Sequence, residues 1–101
     1  MRRAPGRAQL TEEIRRILET GFFSFSAHQG ERSRERRIPH DSIVHAIGSG
    51  RIVEGPEWND EFENWKVRVD GQTVDGEGLS IILAVDLVAE ELTLITAFWM
   101  E

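Results

Sequence analysis

The sequence predicts an α+β domain in which helices come first and an antiparallel sheet follows. Three observations carry this: helical spacing of apolar residues before residue 51, alternation with a period of two after it, and an apolar run, 79–85, bounded by turn signals.

A flexible basic head, residues 1–9, is expected to precede the domain, which spans 10–101. Leu10, Ile14, Ile17 and Leu18 then follow the spacing of an amphipathic helix. Thr11 is the expected cap, Glu12 and Glu13 suit the first turn, and Gly21 is the expected stop. The Phe-rich stretch from Phe22 to Ser26 predicts a short strand or extended entry. A second helix is expected from Ala27 to about Arg36, ended by Ile38-Pro39 because the residue before proline is driven out of the α region. A third helix carries Ile43, Val44 and Ile47 and ends at Gly48-Ser49-Gly50.

From Arg51 onward, Ile52-Val53 opens a strand, and Trp65, Val67 and Val69 alternate with Lys66, Arg68 and Asp70 as in a half-exposed strand. Glu54 to Trp65, acidic and aromatic, predicts a long loop or a strand pair at the rim. Asp70-Gly71 and Asp75-Gly76 are hairpin-type turn signals. Leu79 to Val85 is apolar on both faces and is expected to lie centrally. A turn near Ala89-Glu90 leads to a last strand, Leu92 to Trp99.

Composition narrows the function. Without cysteine there is neither a disulfide framework nor a thiolate metal site. No apolar stretch approaches the ~20 residues needed to span a bilayer, and the basic amino terminus runs into no apolar segment, so a cytoplasmic protein with no membrane partner is expected. The net charge of −6 argues against a general nucleic-acid coat. That average hides a division: residues 1–40 hold nine Arg against five Glu, whereas residues 41–101 hold two Arg and one Lys against 13 acidic residues. Such a contrast points to a local polyanion site, or simply to two solvated faces of opposite sign.

His28, Arg32 and Arg36 stand at successive four-residue steps, which on a helix would stack them along one face. Metal-free RNA cleavage needs a base for the 2′-hydroxyl, an acid for the leaving oxygen, and cations for phosphate charge. Histidine can fill either proton role, and guanidinium groups bind phosphate through paired hydrogen bonds. Glu35 can orient His28 or Arg36, act as acid or base, or pair with an arginine. The same run also fits an ion-paired helix surface. His40 and His45 are five apart, which is not a helical ligand pair, so neither a metal nor another cofactor is expected. Trp58, Phe62 and Trp65 could stack on bases, but their acidic neighbours favour core packing or a protein contact.

The pattern His28, Arg32, Glu35-Arg36, Ile38, then an apolar helix stripe ending in Gly50, Asp75-Gly76 before Leu79-Ser80-Ile81-Ile82, and Ile95-Thr96-Ala97-Phe98 resembles a bacterial family of small domains of unknown function grouped with the RelE and BrnT toxins of toxin-antitoxin modules. The similarity covers about residues 22–99. It implies a RelE-like fold, two or three helices on a curved antiparallel sheet of about four strands. It further implies a metal-independent ribonuclease toxin acting on RNA, with messenger RNA on the ribosome as one candidate substrate, and restrained by a cognate antitoxin protein. Carried over by position, His28, Arg32, Glu35 and Arg36 match the polar motif and Thr96 the last strand. The competing expectation is a non-catalytic protein-interaction module that keeps the fold and uses the acidic rim, Glu54 to Glu63.

Overall fold

A computed structural model describes residues 3–25 and 38–100. In chain order these form α1 (Arg7–Thr20), β1 (Phe22–Phe25), α2 (His40–Ser49), β2 (Arg51–Asn59), β3 (Asn64–Gln72), β4 (Gly78–Asp86) and β5 (Glu91–Trp99). The strands make one sheet in the order β1-β5-β4-β3-β2. All neighbours run antiparallel except β1, which adds to β5 in parallel.

The α+β expectation of two or three amino-terminal helices on a four-strand antiparallel, RelE-like sheet is therefore corrected. The sheet is mixed and five-stranded, and α1 and α2 are the helices among the described residues. The cause is Phe22–Phe25. Phe23, partly buried, packs its ring against the core, and the backbone registers Phe22 with Glu91 through Phe25 with Leu94, covering an edge of β5 that an all-antiparallel meander would leave open. The expected helix from Ala27 to Arg36 lies outside the described residues.

Both helices pack on one face of the sheet. Leu10, Ile14 and Ile17 of α1 and Ile43, Ala46 and Ile47 of α2 are buried against Val67, Val69, Ile81, Leu83, Leu92 and Leu94. α1 begins at Arg7, because the Gly6 carbonyl accepts from Leu10 N–H at 2.9 Å. Thr11 is thus within the helix and bonds back to the Arg7 carbonyl at 2.7 Å rather than capping it. Gly21 ends α1 as expected, its N–H bonding to the Ile17 carbonyl. Arg16 bonds to Glu13 and to Glu90, tying α1 to the β4–β5 turn and holding the guanidinium pKa above its ordinary value, the Glu13 hydrogen bond being the larger cause.

The stretch from Glu54 to Trp65 is the strand-pair alternative, not a long loop: β2 and β3 pair from Arg51–Asp70 to Asn59–Asn64. Asp70-Gly71 is not a turn. Both residues lie in β3, and the chain reverses at Thr73–Glu77, where Gly76 has φ +85° and bonds back to the Thr73 carbonyl. Gly71 is required for another reason: a Cβ there would stand 1.9 Å from the Ala46 carbonyl oxygen, so α2 rests directly on the backbone of β3.

Candidate polar site on the open sheet face

Alternation sends Lys66, Arg68 and Asp70 of β3, Ser80, Ile82 and Ala84 of β4, and Thr93, Thr96 and Phe98 of β5 to the sheet face opposite the helices. Among the described residues no helix packs on that face. Register lines up Arg68, Ile82 and Thr96 in one cross-strand row, and Asp70, Ser80 and Phe98 in the next. The rows meet in a network at the sheet centre. Arg68 Nε donates to Ser80 Oγ at 2.7 Å and lies 3.3 Å from Asp70 Oδ1. Ser80 Oγ donates in turn to Asp70 Oδ1 at 2.6 Å. Arg68 Nη1 reaches Glu54 Oε1 on β2 at 3.3 Å, and the guanidinium carbon sits 5.5 Å above the Phe98 ring centre. Ser80 is fully buried under these partners, which explains how a hydroxyl is tolerated within an otherwise apolar strand.

Thr96 is the one predicted site residue that is described. Its hydroxyl oxygen is buried and has no hydrogen-bond partner. A register shift between Ile82 and Leu83, opposite Thr96 and Leu94, accounts for its position: Ile95 is the extra residue of a bulge that returns Thr96 to the open face. Leaving a hydroxyl buried without a bond costs about 1–3 kcal/mol on the scale of mutational data. Thr96→Val, which keeps the shape, is therefore expected to raise stability by about 1 kcal/mol in a urea melt. An unchanged or lowered stability would show that the hydroxyl is satisfied in solution.

His28, Arg32, Glu35 and Arg36 lie outside the described residues. The chain enters that segment from Phe25, which pairs with Leu94 in parallel, two residues short of Thr96 and heading the same way. It leaves at Ile38, buried in the core, and His40 closes the far side: its ring lies 5.2 Å from that of Phe25 and 5.8 Å from that of Phe23. The two ends of the segment are thus held together at the β1 edge. His45 is engaged elsewhere, its Nδ1 lying 2.8 Å from the Gln72 carbonyl oxygen.

Sequence reasoning did not single out Arg68, Asp70 or Ser80 as a group. Two signals were present: polar residues alternating along 66–70, and a serine interrupting the apolar run at position 80. Chemically, the face offers a fixed, half-buried guanidinium and, beyond Ile82 in the same row, an unused hydroxyl, groups suited to an anionic oxygen ligand. Glu54 and Asp70 already balance Arg68, so such a ligand would have to displace the Glu54 contact, the more exposed of the two.

Residues 25–99 match the profile of a family described as Domain of unknown function (DUF4258). The matched span contains His28, Arg32, Glu35, Arg36 and Thr96 and leaves out α1. No curated protein and no solved structure matches the chain.

Proposed function

We propose that this chain, which belongs to the Domain of unknown function (DUF4258) family, is a metal-independent ribonuclease of the toxin type, related to the RelE and BrnT toxins and held in check by an antitoxin protein. The observation that carries the reading is the buried, unpartnered Thr96 hydroxyl on the open sheet face, in the same cross-strand row as Ile82 and Arg68 and at the level where β1 hands the chain to the His28 segment. Orphaned buried polar groups call for an explanation, and a ligand that completes them is one.

In this mechanism a base removes the 2′-hydroxyl proton of RNA, the oxygen attacks the adjacent phosphorus, and an acid protonates the departing 5′-oxygen. The product ends in a 2′,3′-cyclic phosphate. His28 serves as acid or base, Arg32 and Arg36 hold the phosphate oxygens and the charge that builds on them, and Glu35 orients its neighbours. Thr96 donates to a phosphate oxygen, and Arg68 supplies a further cation on the sheet.

Induced expression in a bacterium is expected to arrest growth, and His28→Ala to relieve the arrest at equal protein level. Normal growth with folded wild-type protein present would refute the toxin reading and favour the protein-interaction module. RNA cleavage by the purified chain is also expected to survive millimolar EDTA, because imidazole and guanidinium groups take the roles a metal would fill. Loss of cleavage on chelation, restored by Mg²⁺ or Zn²⁺, would contradict it.

A further inference from the structure

A second feature lies at the other end of the open face. Between the β2–β3 turn and β5 is a cleft of about 490 Å³ whose floor and walls include Phe62, Lys66, Ala84, Asp86, Glu91 and Ile95. Phe62 is 65% exposed at its rim, and Phe22, in register with Glu91 on the edge strand, is 69% exposed beyond it. Two bare aromatic rings beside one apolar hollow mark an interaction surface rather than scattered exposure. The cleft is also built in advance. Phe62 N–H donates to Asn59 Oδ1 at 3.0 Å and Trp58 Nε1 to Asp60 Oδ1 at 2.7 Å, fixing the tip that carries Phe62. Asp86 Oδ1 accepts from the backbone of Val88 and Ala89, fixing the opposite turn. A preformed site spares a ligand the cost of ordering it.

We propose that this cleft docks a basic peptide segment of a partner protein, with an apolar side chain seated between Phe62 and Ile95 and flanking Lys or Arg residues on the rim. Charge selects that occupant. Asp86 and Glu91 line the cleft against a single Lys66, and Glu57 stands in register with Lys66 on β2. A nucleic acid would be repelled by these carboxylates, and a second copy of the chain would bring the same negative face to its own image. The inference does not depend on RNA cleavage, although Ile95 adjoins Thr96 and an occupied cleft abuts the polar site.

The test is selection of a phage-displayed random dodecapeptide library on the full chain, followed by fluorescence anisotropy with the selected peptides in soluble form. Selected peptides are expected to be net positive around a large apolar residue. Their affinity should fall about tenfold or more in Phe62→Ser and in Glu91→Lys, as at a central anchor, and stay unchanged in Glu77→Lys on the distant β3–β4 turn. Thermal melts confirm that the variants are folded, and either of the first two suffices. No enrichment, enrichment of acidic or uncharged peptides, or full binding by a folded Phe62→Ser variant would overturn the proposal. So would a dimer in sedimentation that Phe62→Ser dissolves, or RNA binding abolished by the same substitutions, since each assigns the cleft to another occupant.

Discussion

Arg36→Ala is expected to leave the thermal melt in place and to slow RNA cleavage by about 10²-fold or more, the usual scale for losing one donor that stabilises transition-state charge. The contrast with a structural role is what makes the substitution informative. If Arg36 belonged to a solvated, ion-paired surface, its removal would shift stability by less than ~1 kcal/mol and leave function intact. Arg36→Lys separates charge from shape. An ammonium keeps the positive charge but not the planar pair of hydrogen bonds, so it should restore little of the lost rate. Full cleavage by a folded Arg36→Ala chain would move the chemistry to another surface.

The largest expected effect on stability comes from Gly71→Ala. The added methyl would stand 1.9 Å from the Ala46 carbonyl oxygen and 2.7 Å from its carbonyl carbon, both backbone atoms. Side chains can swing aside, but here α2 must move off β3, which takes Ile43 and Ile47 with it. Overpacking ordinarily costs about 1–3 kcal/mol and sometimes more, and a backbone clash belongs at the upper end. For a chain of this size about 3 kcal/mol corresponds to a fall of roughly 12–24 °C in melting temperature. Differential scanning calorimetry checks this; a loss of only a few degrees would mean that α2 rides more loosely on the sheet.

Much of the architecture was legible because it is written locally. The change from helical to alternating spacing at Arg51 located the switch from α2 to β2, and Leu79 to Val85 declared the central strand by being apolar on both faces. What failed depends on partners far along the chain. Phe22–Phe25 is too short to announce a partner, and its parallel pairing with β5 joins residues on opposite sides of the whole meander. Asp70-Gly71 carried a turn signature, yet Gly71 is there for the Ala46 carbonyl, which no local pattern reveals. The same holds for the site. Arg68, Asp70 and Ser80 meet only because β3 and β4 pair in one register, whereas the row of Arg68 and Thr96 needs β5 as well. A period of two predicts the face of each residue and not its neighbour. Thr96 was legible as a member of a motif; its orphaned hydroxyl came from the bulge at Ile95.

In the proposed reaction RNA is cut by attack of its own 2′-hydroxyl, without metal, at a site that includes the His28 segment. The most direct measurement is cleavage, in EDTA, of an oligoribonucleotide beside the same oligonucleotide carrying 2′-deoxyribose at the site of cutting. Products are read by mass spectrometry. The expected result is a fragment ending in 2′,3′-cyclic phosphate from the ribose substrate, no cleavage of the deoxy substrate, and none of either by His28→Ala. Equal cleavage of both substrates, or no cleavage of RNA by the folded wild-type chain under any condition tried, would contradict it.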